Sequence, residues 1–334
     1  MDRTTDILMS VKNLEIQYCT DGEVVHAVNG INLELHKGET LGLVGETGAG
    51  KTTTVLSMLR LLPKYVGKVA SGEIWFHGED LLKASESHMR EIRGKQISMI
   101  FQDPMTSLNP IFTVGNQIAE VIHLHNRELT RGQVDEQVQE ILQKVGIPPE
   151  RRNEYPNQFS GGMKQRVMIA IAIACQPELL IADEPTSALD VTIQAQVIKM
   201  MRDLKNELNS SVILITHDLG IVANFCDSVA IMYAGEIVEY GTLEEIFDRN
   251  RPHHPYTVGL FGAIPDISRS VTRLSPIPGL MPNPANLPQG CKFHPRCPIC
   301  MDACKLEPIK SYRSGTHEIL CRAVWEQKGD GSHE

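Results

Sequence analysis

No apolar run in this chain approaches the ~20 residues that a membrane-spanning helix needs; the longest, Val167 to Cys175, is far too short. Positive charge is also in short supply. With 32 Lys and Arg against 41 Asp and Glu, the formal charge is −9. Binding to nucleic acid needs clustered Lys and Arg, so this balance argues against it as the main partner. The start, Met1-Asp2-Arg3-Thr4-Thr5-Asp6, lacks the basic-then-apolar layout of a signal peptide. The expectation is a cytoplasmic protein whose membrane contact comes through partners. Internal repeats and low-complexity blocks are missing too. At 334 residues the chain is too long for one small core, so two or more structural units are expected.

Cysteine is present but unevenly spread. Of the eight cysteines, Cys19, Cys175 and Cys226 stand alone and read as small buried apolar residues. Cys291, Cys297, Cys300, Cys304 and Cys321 crowd into the tail. In a cytosolic chain such a cluster points to a metal centre before it points to disulfides.

The most informative stretch is Gly45-Glu46-Thr47-Gly48-Ala49-Gly50-Lys51-Thr52, which fits the Walker A phosphate loop, G-x-x-x-x-G-K-[ST]. Its glycines let successive backbone N–H groups turn inward as a nest for phosphate oxygens. Lys51 adds a point charge and Thr52 a hydroxyl for Mg²⁺, with Thr53 following. The context agrees. Thr40 to Val44 reads as a buried strand, and Val55, Leu56, Met58, Leu59 and Leu62 have helical spacing ahead of Pro63. The helix start therefore points at the phosphates.

Ahead of this loop, Leu14, Ile16 and Tyr18, then Ile31, Leu33 and Leu35, alternate as antiparallel strands do, and Ser71 to Phe76 adds another. Ile97 to Phe101 is a strand that runs into Gln102-Asp103-Pro104. From about 103 to 177 the pattern turns helical; Val134, Val138, Ile141, Leu142 and Val145 share one face. Leu179 to Ala182 and Val212 to Ile215 are apolar runs of the kind buried on both faces of a parallel sheet. Val197, Ile198, Met201, Leu204 and Leu208 form the helix between them. This is βαβ architecture with a helical insertion. After about Asn250 the composition turns proline-rich and helix-poor, from Arg251-Pro252-His253-His254-Pro255 through Pro276-Ile277-Pro278-Gly279. A boundary is placed there.

Asp183 and Glu184 end the strand Leu179 to Ala182, where two adjacent acids need something cationic to meet them. Asp183 suits a Mg²⁺ ligand and Glu184 a base that orients the attacking water. Phe159-Ser160-Gly161-Gly162-Met163 opens a helix with Ser160 as N-cap, exposing N–H groups at its positive end. One site needs one phosphate loop, so this second surface is assigned to a nucleotide on another subunit. His217 and Gln102 also follow strands, at the sheet edge where ligands bind in open α/β folds.

Taken in order, these motifs resemble the ATP-binding subunit of an ABC transporter, and most closely the branch that energises dipeptide, oligopeptide and nickel importers. The resemblance covers about Met9 to Asn250. In it Tyr18 stands for the adenine-stacking aromatic, Gly45 to Thr52 for Walker A, and Gln102 for the Q-loop. Phe159 to Met163 stands for the signature, Leu179 to Glu184 for Walker B, Ser187-Ala188-Leu189-Asp190 for the D-loop, and His217 for the switch histidine. The signature more commonly begins with Leu and ends in Gln, where this chain has Phe159 and Met163. Gln102 to Pro110 and His254-Pro255-Tyr256-Thr257 look like the peptide/nickel branch.

The resemblance implies an α/β P-loop NTPase cassette at 1–250, a RecA-like core with an antiparallel β subdomain and a helical subdomain near 103–177. A small Cys-rich extension follows at 251–334. It further implies a peripheral ATPase on the cytoplasmic membrane face, using ATP and Mg²⁺ held by Thr52, Gln102 and Asp183, with Glu184, His217 and Gln102 catalytic. Partners would be a second ATPase subunit, identical or related, two transmembrane permeases and an extracytoplasmic substrate-binding protein, with no nucleic acid. Dipeptides or oligopeptides are the expected cargo, with nickel or another small solute behind them. In the same branch four tail cysteines can hold a [4Fe–4S] cluster; the matching positions are Cys291, Cys297, Cys304 and Cys321, leaving Cys300 a spare thiol. Spacing alone leaves Zn²⁺ and metal-free packing open. Two other classes compete. A soluble ABC ATPase of DNA or ribosomes would show paired cassettes or long heptads, and a mainly redox or structural Fe–S protein with a vestigial cassette is argued against by the intact set Lys51, Asp183, Glu184 and His217.

Overall fold

The computed structural model describes residues 6–20, 22–187, 189–263, 277–307 and 309–328. Two long strands open the chain, β1 (Ile7–Thr20) and β2 (Glu23–His36), followed by β3 (Thr40–Val44) and α1 (Lys51–Met58). Next come β4 (Gly67–Phe76), β5 (Glu79–Asp80), α2 (Glu86–Ile92) and β6 (Ile97–Ile100). Four helices then run together: α3 (Pro104–Ser107), α4 (Val114–His125), α5 (Arg131–Lys144) and α6 (Gly161–Ile173). They lead to β7 (Leu179–Asp183), α7 (Val191–Leu208), β8 (Ser211–Thr216), α8 (Leu219–Phe225), β9 (Ser228–Tyr233) and β10 (Glu236–Thr242). The last part holds α9 (Leu243–Phe247), α10 (Pro255–Gly262), α11 (Ala303–Leu306), β11 (Tyr312–Ser314), β12 (His317–Ile319) and α12 (Arg322–Lys328).

The chain divides into two compact units. The first comprises Leu35–Thr40, Lys83–Thr216 and the described residues before Met9. Its strands run β8-β7-β6, all parallel, with Leu180 opposite Val212 and Ile100 opposite Ala182. Every residue of β7 and β8 is buried, which is why both read as unbroken apolar runs. The helices cover what the sheet cannot. In α5, Val134, Val138, Ile141 and Leu142 form the buried face, and Thr130 with Gln133 closes a capping box at its start. The apolar stretch from Val167 lies in α6, where Val167, Met168, Ile169, Ala170, Ala172 and Ile173 are all buried. Its length is core, not membrane span.

The second unit comprises Met9–Glu34, Leu41–Leu82 and the described residues from His217 on. One sheet has the order β2-β1-β4-β5, with β1 and β4 antiparallel. The other runs β11-β12-β10-β9-β3, where β3 and β9 are parallel and β9 to β11 are joined antiparallel.

Three expectations need correcting. The helix after the phosphate loop ends at Met58, so Leu62 lies beyond it; Arg60 at φ +52° is left-handed and cannot continue the helix. Cys19 is exposed, because it falls near the open end of β1, whereas Cys226 is buried and Cys175 half-buried. The tail is less helix-poor than its prolines suggest. Pro255 sits in the first turn of α10, where its missing N–H costs nothing, and His254 accepts from the Tyr256 N–H as the cap. The tail also contributes β11 and β12 to the sheet; the Leu320 N–H donates to the Val238 carbonyl at 2.8 Å. Pro276, inside the proline-rich stretch, lies outside the described residues.

Candidate functional site

In the second unit the loop Gly45–Thr52 joins the end of β3 to the start of α1, so the first N–H groups of that helix face whatever the loop holds. Two of its glycines are sterically required. A Cβ on Gly45 would sit 2.2 Å from the Met232 carbonyl oxygen. At Gly50, φ is +104° and a Cβ would sit 2.4 Å from the Ala27 carbonyl oxygen. Lys51 is buried, and its ammonium donates to the Gly45 and Glu46 carbonyls at 2.7 and 3.0 Å. The amine is therefore folded over the mouth of its own loop. Thr52 is exposed, and Thr53 shares a 3.1 Å hydrogen bond with the Tyr18 hydroxyl. Thr47 and Gly48 are exposed at the tip, and Ala49 is buried beneath it. Gly50→Ala should weaken nucleotide binding at least tenfold, because strain of ~1–3 kcal/mol and the clash together move the loop. Fluorescent-nucleotide titration checks this; unchanged affinity would show that the loop relaxes without cost.

Glu46 is held from two sides. Its N–H donates to the Tyr256 hydroxyl at 2.9 Å. Its carboxylate takes a two-pronged ion pair from Arg296, at 2.7 and 3.1 Å. The hydrogen bonds that Arg296 donates to Glu46 raise its pKa further, against the opposing effect of burial. Neither Tyr256 nor Arg296 was among the sequence-derived candidates. The available signals were the branch-like His254 to Thr257 segment and a single arginine beside Cys297.

In the first unit, Asp183 ends β7, buried at 2% exposure. Glu184 follows at φ +46°, an unusual value for a non-glycine residue and one that clusters at functional sites. Its N–H donates to the Ile215 carbonyl at 2.9 Å. Gln102, exposed after β6, donates its side-chain amide to the Glu184 carboxylate at 3.1 Å. Gln102 and Glu184 are thus brought together.

Ser160 caps α6, accepting from the Met163 N–H at 3.4 Å, with Ser160 and Gly161 exposed and Gly162 half-buried. The structure also shows what the two departures in this segment do. The Arg151 guanidinium lies over the Phe159 ring at 4.4 Å and contacts the Met163 sulfur at 3.3 Å, while its other nitrogens bind the Glu154 carboxylate. Asp190 caps α7, accepting from the Thr192 and Ile193 N–H groups; Ala188, two residues before it, lies outside the described residues. His217, in the second unit, is exposed just before the Asp218 cap of α8.

Cys291, Cys297, Cys304 and Cys321 line one cavity together with His294, Ile299 and Ala303. Cys300 is not among the lining residues. Burial pushes the Cys291 thiol up to about 12 and Cys297 up to about 11, and raises Cys321 as well. Four thiols around one cavity form a donor set suited to an iron–sulfur cluster or to Zn²⁺. Among the described residues, three metal-ligand atoms mutually within 4.8 Å occur at Glu239, His253 and His317. That group is closed on itself. One Glu239 oxygen meets the His253 and His317 rings at 2.6 and 2.8 Å, and the other accepts from the His254 N–H at 2.8 Å.

Comparison with known proteins completes the description. Residues 28–187 match the ABC transporter family, and residues 238–304 match the oligopeptide/dipeptide transporter C-terminal region. The dipeptide transport ATP-binding protein DppD of Bacillus subtilis is 46% identical over 98% of this chain and 96% of its own. The oligopeptide transport ATP-binding protein OppD of the same organism is 49% identical over 93% of this chain and 87% of its own. Among solved structures, a dimeric ATP-binding cassette bound to ADP and Pi superimposes with a TM-score of 0.64 at 26% identity, covering 70% of this chain and 98% of that one. CbiO1 from Clostridium perfringens, part of an ABC transporter complex, gives 0.63 at 28% identity, covering 73% and 92%.

Proposed function

Since this chain belongs to the ABC transporter family of ATP-binding subunits, in its oligopeptide/dipeptide branch, we propose that it hydrolyses ATP to drive a membrane importer of dipeptides or oligopeptides. The observation that carries this is the likeness to peptide-transport ATP-binding proteins along nearly the whole chain, tail included. No helix among the described residues is long and apolar enough to cross a membrane, which fits a peripheral subunit at the cytoplasmic face. Two permeases, a substrate-binding protein outside the membrane and a second ATPase chain complete the proposed assembly.

Roles are proposed residue by residue. Gly45 to Thr53 cradle the phosphates, Lys51 bringing the charge, and Tyr18 stacks on adenine. Thr52, Gln102 and Asp183 would hold Mg²⁺, which would supply positive charge against the phosphates. Glu184 orients the water and takes its proton, and His217 steadies the transferring group. Ser160 to Gly162 and Asp190 serve a nucleotide on the partner ATPase. Uptake of labelled dipeptide in cells lacking and regaining this chain tests the cargo. Restored Ni²⁺ uptake with no change in dipeptide uptake would reassign it.

The tail is proposed to hold a [4Fe–4S] cluster on Cys291, Cys297, Cys304 and Cys321. What supports this reading is that all four thiols line one cavity, the donor set that such a cluster needs. Anaerobic purification should give iron, sulfide and absorbance near ~400 nm, lost in Cys297→Ser and kept in Cys300→Ser. Stoichiometric zinc in place of iron would reverse the assignment.

A further inference from the structure

The phosphate loop carries an acid where an anion is meant to bind. Glu46 directly follows Gly45, and an uncompensated carboxylate there would repel a polyphosphate. Its compensation comes from the far end of the chain. Arg296 grips the carboxylate with both terminal nitrogens, the planar match that guanidinium makes with carboxylate.

The arginine itself has little freedom. Its side chain is 4% exposed, against 32% for that of Glu46. Its Nε donates to the Pro278 carbonyl at 3.0 Å, one terminal nitrogen to the Ile277 carbonyl at 3.3 Å, and the other to the Tyr233 hydroxyl at 3.4 Å. Tyr233, Tyr256 and Phe293 pack against one another with ring centroids 4.7–5.5 Å apart, and Arg296 lies within about 6 Å of two of them. Tyr256 leaves that cluster to hold the Glu46 N–H. Backbone and side chain of Glu46 are thus both fixed by residues that follow the cassette.

We propose that Arg296 is a positioning residue of the nucleotide site: it cancels and fixes the Glu46 charge, so the tail forms part of the phosphate-binding loop. The role of Arg296 is separate from metal binding at its neighbour Cys297, and it rests on the reading of Gly45 to Thr52 as an ATP loop. A surface ion pair would contribute little. This one is largely buried on the arginine's side, and removing the arginine alone leaves an uncompensated carboxylate in the phosphate loop.

The test is nucleotide titration of the full chain as wild type, R296Q, R296K, E46Q/R296Q and E46Q, using fluorescent ATP and AMP analogues. R296Q should weaken ATP binding about tenfold or more, and weaken AMP binding much less, because repulsion grows with phosphate charge. E46Q/R296Q should recover most of the loss, since no charge is then left unpaired. It carries the same change in the tail, so damage arising there alone would persist. R296K should fall between wild type and R296Q, and it serves in place of R296Q should that variant not fold. Equal ATP affinity in wild type and R296Q, equal losses for ATP and AMP, or a double variant no better than R296Q would each overturn the proposal. Wild type that binds no ATP would overturn the nucleotide reading along with it.

Discussion

Glu184→Gln should bind ATP as wild type does and lose about 10²–10⁴-fold in phosphate release, the range expected when a general base is removed. Glutamine keeps the size of the side chain and can still meet the Gln102 amide that lies 3.1 Å from the carboxylate. The lost capacity is proton acceptance. The backbone supports this reading. Glu184 is held at φ +46°, with its N–H tied to the Ile215 carbonyl and the Ser187 hydroxyl donating to its own carbonyl at 3.1 Å. A conformation that costs of order 1–3 kcal/mol persists when surroundings enforce it, and here it aims one carboxylate. Phosphate release set beside fluorescent-nucleotide binding separates the two effects. Hydrolysis within a few-fold of wild type would remove Glu184 from the role, and joint loss of binding and turnover would make it a structural residue.

The second large effect is on stability. Glu239→Ala should cost about 3–5 kcal/mol, the range for removing one partner of a buried charged network. Glu239 is 1% exposed. Burial alone would raise its pKa, but hydrogen bonds from His253 and His317 win and pull it down to about 2. A carboxylate only accepts, so the nitrogen of each ring that faces it must donate. His253 is raised in turn: burial opposes its charge, and Glu239 outweighs burial. The two directions bracket a pH window. The Glu239 contribution is complete above the ordinary carboxylate value of 4.5 and is lost as pH falls toward about 2. The His253 contribution is complete below its ordinary 6.5 and fades as pH rises through its elevated folded value. Denaturant melts across pH should show wild type losing stability on both sides of that window, with the dependence flattened in Glu239→Ala. A variant as stable as wild type at pH 6 would mean that the two imidazoles repack without their acid.

Much of this could be read from the chain because local rules decide it. The spacing of Gly45, Gly50 and Lys51 marks a strand-loop-helix in eight residues, and the unbroken apolar runs at Leu179 and Val212 mark buried parallel strands. Ser160 reads as a cap because its hydroxyl suits one and glycines follow. What escaped depends on long reach or on broken alternation. Glu46 and Arg296 are 250 residues apart, and no periodicity links them. Glu239 should point away from the side that Val238 faces, yet both are buried; the register slips between Ile237 and Glu239, and that bulge turns the acid inward. The helix after Lys51 looked longer than it is because Leu62 keeps the apolar spacing, whereas the left-handed Arg60 that ends the helix has no signature in residue type.

The pairing of β12 on β10 has a consequence for how the protein can be handled. Glu239 and Tyr240 lie opposite Ile319 and Glu318, and the Leu320 N–H bonds the Val238 carbonyl, so the tail covers the middle of one side of β10. A chain cut after Asn250 would leave that side as a bare strand edge, with amides and carbonyls free to recruit another molecule. It would also strip His253 and His317 from Glu239 and Arg296 from Glu46. Such a fragment should be sticky rather than minimal, self-associating through its new edge, and the intact chain is the unit in which to study it.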